Sequence, residues 1–293
     1  MKTKLYLALF CVAFFWGTTF LAIRVGVETI PPFLLAGIRN LISSTLIFCY
    51  LFSQKKLEKV SLNQFFRAFI LSILMIVLAN GLTTYSEKYI TSGLASLIST
   101  LTPFCVLIIN LVLGFEKLSF KTIGGILLGM SGIFLIYQSS LSDLLIPEYR
   151  QGIFALLSAI LAWSVGTIIM KRGSQKPLSM LMNVCVQMMI AGVVLTSLQF
   201  CLTPNISPEN WSGRSIFAMV YLALFGSVVG YVAFSYLLTQ LPSTKVVVLS
   251  YVNLVVALFL GWLILDEIIT SRIILAATLI ITGVVIVNYK KVK

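Results

Sequence analysis

One stretch of the chain occurs twice, and this repeat constrains the fold more than any single residue does. The first copy runs from Tyr85 through Ile136 and the second from Tyr236 through Val287, at a constant offset of about 151 residues. The matched pairs are Tyr85 with Tyr236, Ser92 with Ser243, Ser99 with Ser250, Glu116 with Glu267, Lys121 with Arg272 and Gly132 with Gly283. A repeat of this length fixes the architecture before individual side chains do.

Composition places the repeat in a membrane. Hydrophobic residues make up 59% of the chain and charged residues only 10%. A soluble domain of 293 residues with this composition would expose too much apolar surface. The net charge of +12 does not indicate a nucleic-acid partner, because the charges lie in short loops and no soluble basic domain is present to hold such contacts. The expected surroundings are a lipid bilayer.

Apolar runs of about 20 residues, each long enough to cross a bilayer as a helix, are separated by charged, Pro or Gly breaks. The predicted helices are about 4–24, 32–53, 65–86, 91–114, 119–138, 151–171, 178–202, 214–238, 243–265 and 271–290. We therefore predict an all-α integral membrane protein with ten transmembrane helices in two five-helix repeats, 1–138 and 150–293. Because five is odd, the two repeats are inverted in the membrane, which is the physical basis of alternating access.

The positions of Lys and Arg predict the orientation. Of the 21 such residues, fifteen fall in the segments on the side of both termini, five fall on the opposite side, and Arg39 lies within a helix. Seven of the nine acidic residues fall on the side away from the termini. Positive charge is enriched on the cytoplasmic side. We expect a multi-pass protein of the cytoplasmic membrane with both termini in the cytoplasm.

Two tryptophans occupy the same position in the two halves. Trp16 and Trp163 each stand in the first helix of a half, and in each case a cation follows eight residues later. Aromatic rings beside a central cavity can stack on a solute or bind a cation. Packing between helices and an interfacial belt are the alternatives, and a position in mid-helix disfavours the belt.

Arg39 is the only charged residue well inside a predicted helix. A cation at that depth is a functional candidate by default. It could bind a substrate carboxylate, act as a structural clamp on backbone carbonyls of another helix, or extend part of the way to the membrane surface. No acidic residue is expected at the same depth, because the acids fall at helix ends. Its counterpart in the second half is Gln187.

Isolated polar residues at repeated positions are the remaining candidates for substrate binding. Asn80 is matched by Tyr231, and Ser99 by Ser250. Thr102 and Pro103 are matched by Asn253 and Leu254. Ser and Thr also bond to their own helix backbone, so any one of them can be structural. Pro103 predicts an interruption in the fourth helix. Because Leu254 stands at the matched position, the sequence does not decide whether the ninth helix is interrupted as well.

Gly124, Gly125, Gly129 and Gly132 form a small-residue face in the fifth helix. Such a face lets helix backbones approach closely, either within one molecule or in a homodimer. The sequence predicts neither a metal nor a cofactor, because it has no histidine and its five cysteines have no paired spacing. A phosphate-binding loop is also absent, which excludes direct drive by ATP on this chain.

Four features together resemble the EamA-type family of the drug/metabolite transporter superfamily. They are Trp16-Gly17, Pro31-Pro32-Phe33 through Arg39, Tyr85-Ser86-Glu87-Lys88-Tyr89-Ile90 leading to Leu101-Thr102-Pro103, and Gly114-Phe115-Glu116 before the glycine-rich fifth helix. The resemblance covers both halves. It implies ten helices in two inverted repeats, a central cavity, and a bacterial inner-membrane carrier of small metabolites that often exports them. It also implies that the first, third and fourth helices of each half line the cavity.

The leading functional hypothesis is a secondary transporter that exports small polar or amphipathic metabolites, such as amino acids, by alternating access. The alternatives are a channel or a non-transporting scaffold, and a membrane-embedded enzyme. A channel should show a polar stripe through the pore, whereas the polar residues here are isolated and matched. An enzyme should show clustered acids, bases or metal ligands, and the acids here are scattered. The sequence does not decide how transport is driven: proton antiport and facilitated exchange are both compatible with it.

Overall fold

A computed structural model describes residues 2–115, 120–139, 146–173 and 177–288 of the chain. Glu116, which the repeat pairs with Glu267, lies outside the described residues, and so do the terminal residues 289–293. The described residues form helices, turns and loops, with no strand among them. The all-α class predicted from the sequence is therefore confirmed.

The helical segments lie within about one turn of the ranges predicted from the apolar runs. We label them α1 (Lys2–Gly26), α2 (Pro32–Ser53), α3 (Leu62–Ser86), α4 (Ser92–Val112), α5 (Phe120–Ser139), α6 (Pro147–Lys171), α7 (Met180–Leu202), α8 (Gly213–Gln240), α9 (Ser243–Leu265) and α10 (Ser271–Asn288). Eight of them, α1–α4 and α6–α9, are long and apolar enough to cross a membrane.

Helix starts follow from short polar residues in front of the apolar runs. At the start of α3, the Ser61 hydroxyl accepts a hydrogen bond from the backbone N–H of Gln64, and the Gln64 side chain accepts one from the Ser61 N–H at 2.9 Å. Thr91 and Ser212 cap α4 and α8 in the simpler way, with one hydroxyl acceptor each. These caps satisfy N–H groups that no helix can satisfy within itself.

The most extensive helix contacts join one copy of the repeat to the other. The helix α2 packs along α7, and α5 packs along α10. Helix α1 of the first half packs against α8 and α9 of the second half, and α6 of the second half packs against α3 and α4 of the first. The two halves are therefore interlocked, and the space between them is bordered by helices from both.

The small-residue face of α5 lies against α10. A Cβ atom added at Gly132 would lie 2.8 Å from the carbonyl oxygen of Ala276, and one added at Gly283 would lie 3.0 Å from the backbone nitrogen of Gly129. Gly124 has no such neighbour within 4 Å. The glycines thus allow close packing within the molecule. A homodimer through this face stays a prediction.

Candidate functional site

A cavity of about 160 Å³ lies where the two halves meet. This volume is several times the roughly 30 Å³ share of one water molecule in the liquid. Helices α1–α4 and α6–α9 all contribute to its walls. The eight residues predicted to bind substrate all line it: Trp16, Arg39, Asn80, Ser99, Trp163, Tyr231, Ser250 and Asn253. The structure brings them together, and their role in binding stays a prediction.

The repeated tryptophans meet in one aromatic wall of the cavity. The ring centroids of Trp16 and Trp163 are 5.3 Å apart, with the rings at 77° to each other. Phe234 packs against both, at 5.0 Å from Trp16 and 4.9 Å from Trp163. Tyr231 approaches Trp163 edge-on at 6.2 Å. Edge-to-face and tilted contacts of this kind hold aromatic side chains in defined positions.

The two tryptophans differ in what they can still bind. The indole N–H of Trp16 donates to the carbonyl oxygen of Gly226 at 3.0 Å. Its ring also lies directly against Gly230, where a Cβ atom would collide with Trp16 Nε1. The indole N–H of Trp163 has no hydrogen-bond partner within the described part of the chain. The side chain of Trp16 is therefore held in place by its contacts, whereas the indole N–H of Trp163 remains free to donate a hydrogen bond.

The helices that border the cavity have irregular backbones at matched places. A π-helical segment occupies Ile73–Leu78 in α3, and another occupies Leu222–Tyr231 in α8. In α4 the α-helix is interrupted between Ser99 and Thr102, and in α9 between Val247 and Ser250. Such irregularities in membrane helices are tolerated where they line a cavity or are buried in protein.

The interruption in α9 settles a question that the sequence leaves open. There the helix forms two tighter backbone hydrogen bonds: the N–H of Tyr251 donates to the Val248 carbonyl at 3.2 Å, and the N–H of Val252 donates to the Leu249 carbonyl at 3.0 Å. The corresponding bonds in α4 run from Thr100 to Leu97 and from Leu101 to Ile98. Since α9 has Leu254 where α4 has Pro103, proline is not required for the interruption.

Arg39 supplies the charge of the cavity. It is the one charged residue among those that line it, and only 2% of its surface is exposed. Its Nε has no hydrogen-bond partner, and no bond from its guanidinium to another described residue is present. A buried cation without partners is costly in a membrane. The backbone clamp considered as its alternative role therefore has no contact to support it here.

Three further polar atoms on the cavity wall are buried and unpartnered among the described residues. They are Oδ1 of Asn80, Oγ of Ser96 and Oγ of Ser250. Buried polar atoms normally have hydrogen-bond partners, so each unsatisfied one needs an explanation. Together with Arg39 and Trp163 they form a set of polar groups around the cavity that have no hydrogen-bond partner among the described residues.

The other predicted residues use their polar groups within the protein. Ser99 donates to the Ala95 carbonyl at 2.8 Å, and Tyr231 donates to Gln187 Oε1 at 2.7 Å. In the amide orientation that satisfies its surroundings, Asn253 donates to the Ala13 carbonyl at 2.7 Å. These three residues shape the cavity, and their hydrogen bonds link α9 to α1 and α8 to α7.

The burial of Glu87 is not evident from the sequence. Glu87 follows α3 in sequence, but its side chain is completely buried and lies close enough to Arg39 for their charges to interact. Arg24 holds the backbone at this point by donating to the carbonyl oxygens of Glu87 at 2.6 Å and Lys88 at 3.1 Å. A position just beyond a helix looks exposed in a sequence, and only tertiary packing shows that it is covered.

Sequence reasoning missed several residues of the cavity, among them Asn40, Phe234 and Ser96. Asn40 lies beside Arg39 in an otherwise apolar part of α2, and this pairing was a signal that could have identified it. Phe234 completes the aromatic wall, three residues after Tyr231, with no feature that separates it from ordinary core phenylalanines. Ser96 has no distinguishing signal either. Within the part of the chain that the structure describes, no cluster of three metal-ligating residues is present.

Comparison with known proteins decides the family. The model of the EamA-like transporter family matches residues 3–138 and, a second time, residues 150–289. The chain belongs to the EamA-like transporter family. The resemblance carried by the tryptophan, proline and glycine motifs is thereby confirmed.

Relatives of this EamA-like chain cover nearly its whole length. "Uncharacterized transporter YoaV" of Bacillus subtilis is 28% identical over 96% of this chain and 95% of its own. "Uncharacterized inner membrane transporter YedA" of Escherichia coli K12 is 29% identical over 98% of this chain and 91% of its own. A solved crystal structure with 19% identity aligns with a TM-score of 0.70, covering 98% of this chain and 97% of the other.

These findings fix the general activity. EamA-like proteins are transporters, so this chain is a membrane transporter, and its family is not one of enzymes. The aligned crystal structure supports the fold alone. The substrate has to be argued from the cavity.

Proposed function

We propose that this EamA-like transporter is a secondary carrier that exports small carboxylate-bearing metabolites, amino acids among them, by alternating access. One observation supports this choice above the others. The cavity between the halves has an aromatic wall, and the single charged residue on it is an unpartnered arginine. A guanidinium group matches a carboxylate with two parallel N–H donors.

The polar groups around Arg39 suit the rest of an amino acid. The unpartnered oxygens of Asn80, Ser96 and Ser250 can accept hydrogen bonds from an ammonium or hydroxyl group. The faces of Trp163 and Trp16 can pack against an apolar side chain or a cation. A volume of about 160 Å³ favours small solutes over lipids.

The membrane topology in this proposal is ten spans in two inverted five-helix repeats. Matched π-helical segments in α3 and α8, and matched interruptions in α4 and α9, support the repeat. A pair of side-chain contacts supports it further. Arg24 of α1 donates to the carbonyl of Glu87, and Lys171 of α6 donates to the carbonyl of Leu238, which is the matched position 151 residues later. The excess of Lys and Arg on the side of both termini supports a cytoplasmic location for them.

The way the halves interlock supports alternating access as the mechanism of this proposal. Helix α1 packs on α8 and α9, while α6 packs on α3 and α4. Two inverted copies can exchange these packings, which would open the cavity to one side and close it to the other. The interruptions in α4 and α9 provide places where the helix ends can tilt independently. Export is the direction that the family resemblance favours.

A selectivity measurement tests the role of Arg39. Purified protein in liposomes would be loaded with labelled amino acids or with the matching amino-acid amides, which lack the carboxylate. We expect the wild type to prefer the acid over its amide by at least about tenfold, because an unmatched buried arginine penalises the amide. Arg39→Gln should bring that ratio close to one. The exposed Arg214→Gln serves as the matched control and should keep the wild-type ratio.

A ratio is the right readout, because it does not depend on how much of each variant is active. Equal transport of acid and amide by the wild type would contradict the carboxylate assignment. Flux that rises linearly with concentration, without saturation, would contradict a carrier and favour a channel.

A further inference from the structure

Glu87 is a buried carboxyl group for which the proposed transport cycle so far has no role. Its side chain is 0% exposed, and neither Oε1 nor Oε2 has a hydrogen-bond partner among the described residues. An ionised carboxylate without partners is strongly unfavourable away from water. Such a group can exist either by meeting an opposite charge or by binding a proton.

Three charged side chains act on this carboxyl group, each from a different element. Burial raises the pKa of Glu87 well above its usual range, and the negative charge of Glu267 raises it further. Arg24 from α1 and Arg39 from α2 lower it. Helix α6 also packs on this end of α3, and the residue it places there is Gly152, where an added Cβ atom would lie 3.2 Å from the Ser86 carbonyl oxygen. The surrounding charges thus oppose one another, and burial dominates.

The carboxylate of the nearby Glu267 already has hydrogen-bond partners. Its carboxylate accepts hydrogen bonds from the N–H and hydroxyl of Ser92, both at 2.8 Å, and from the N–H of Gly93 at 2.9 Å. These bonds join the loop before α10 to the start of α4 and satisfy backbone donors there. Glu267 is therefore a structural cap, and Glu87 is the acid of this pair with free oxygens.

The repeat shows that packing does not require an acid at this position. In the second half, Lys171 donates to the carbonyl of Leu238 at 2.7 Å, just as Arg24 donates to the carbonyl of Glu87 at 2.6 Å. The same backbone clamp thus forms with leucine in one half and glutamate in the other. The carboxyl group is therefore an addition to the first half.

We infer that Glu87 is a reversible proton-binding site that controls whether Arg39 is available to a substrate carboxylate. This inference rests on the proposed function. When Glu87 holds a proton it is neutral, and the positive charge of Arg39 is left for the substrate. When Glu87 is ionised it compensates that charge and competes with the substrate. The proton passes between bulk water and one carboxylate oxygen of Glu87, and no other bond changes.

Thermodynamic linkage gives the consequence for transport. If a proton on Glu87 strengthens binding of the carboxylate, a bound carboxylate must strengthen binding of the proton by the same factor. The substrate anion and the proton on Glu87 therefore favour each other's binding. Coupling of this kind typically changes affinity by roughly 5- to 150-fold.

The proton site can be tested without any substrate, through the pH dependence of thermal unfolding in detergent. A carboxyl group with a raised pKa in the folded state stabilises below its unfolded pKa, and this contribution is lost as pH rises through the folded pKa. We expect the Tm of the wild type to fall, relative to Glu87→Gln, by at least about 3 °C between pH 5 and 8. The sequence has no histidine, so few other groups titrate in this window.

Two variants make this comparison sharp. Glu28→Gln removes an exposed glutamate at the end of α1 and should follow the wild-type profile. Glu87→Leu copies the residue of the second half and should behave like Glu87→Gln, which guards against a variant that fails to fold. Identical pH profiles for the wild type and both Glu87 variants would overturn the proton site.

A second measurement follows the affinity for a labelled amino acid, as the probe, at pH 6 and pH 8. The wild type should lose at least about fivefold in affinity at the higher pH, and Glu87→Gln should lose none. A wild-type slope retained in Glu87→Gln would overturn the inference. If no amino acid binds, the carrier proposal fails separately, and the unfolding profiles still decide for or against the proton site.

Discussion

At the scale of single residues, two cations each bind the end of a neighbouring helix in the same way, Arg24 at α3 and Lys171 at α8. Arg24 is half-buried and donates to two carbonyl oxygens, those of Glu87 and Lys88. Lys171 is exposed and donates to one, that of Leu238. Carbonyls at a helix end have no partner within the helix, and a cation there satisfies them and favours the helix dipole.

The hydrogen bonds of Arg24 and Lys171 to these carbonyls should therefore contribute differently to stability. We expect Arg24→Met to lower the free energy of unfolding by about 1–2 kcal/mol, since charged hydrogen bonds contribute more than neutral ones. Lys171→Met should cost less than about 1 kcal/mol, because its single bond is exposed to water. Thermal unfolding in detergent measures both, with the exposed Arg214→Met as a control near zero. A larger loss for Lys171→Met than for Arg24→Met would contradict this ranking.

The residues of the cavity were predictable in so far as they stand out against an apolar background. Trp16 and Trp163 share one repeat position, and Arg39 is a lone charge in a helix, so each is conspicuous in the sequence. Ser96 is not, because serines in membrane helices commonly bond to their own backbone. Glu87 stands just beyond a helix end in the sequence, and its burial is evident only from the packing of the whole molecule.

At the scale of elements, the helices around the cavity combine regular ends with irregular middles. Apolar runs and short polar caps predicted the helix positions to within about a turn. The π-helical segments at Ile73–Leu78 and Leu222–Tyr231 were not predicted, because no residue type marks them. The interruption in α9 was left open by the sequence, since Leu254 replaces proline there. Tertiary contacts between the halves, not local propensity, fix these irregular segments.

The contact between α5 and α10 depends on glycine at its centre. We expect Gly132→Ala to destabilise the protein by about 1–3 kcal/mol, because the added methyl group would meet the Ala276 carbonyl at 2.8 Å. Gly124→Ala on the same helix is the matched control, since nothing lies within 4 Å of its added Cβ. Alanine favours a helix over glycine by up to about 1 kcal/mol, so this control should be neutral or slightly stabilising.

Unfolding temperatures of the two variants in detergent check this packing. Equal Tm values for Gly132→Ala and Gly124→Ala would mean that α5 and α10 do not approach as closely as the structure has them. A loss for both would point to a cost of alanine in this helix that is unrelated to the contact.

At the scale of the whole molecule, duplication explains why function collects at the centre. Each half supplies one tryptophan, one set of isolated polar residues and one interrupted helix, and interlocking brings the two sets to one cavity. The halves are not equivalent there. Arg39 has Gln187 as its predicted counterpart, and Glu87 has Leu238. These differences concentrate charge in the first half. The two halves therefore surround the cavity with unequal charge, which two identical repeats would not do.

The overall architecture was largely predictable, because a membrane leaves few alternatives. Backbone groups in a bilayer must be satisfied within a helix or a closed barrel, so long apolar runs translate directly into helices. The repeat and the family motifs then indicate the arrangement. The choice of substrate was less predictable, since it depends on which of many polar atoms remain unpartnered after packing, as Ser250 does and Ser99 does not.

The measurement that tests the central claim most directly is saturable flux through the cavity between the halves. Liposomes would be loaded with a panel of labelled amino acids, and efflux followed for the wild type, Trp163→Ala and Trp262→Ala. Trp262 is a matched control, because it is 53% exposed on α9 and does not line the cavity. We expect saturable efflux of one solute class. This efflux should be unchanged in Trp262→Ala and reduced by at least about tenfold in Trp163→Ala. Equal flux in all three proteins would place the solute path elsewhere and contradict the account.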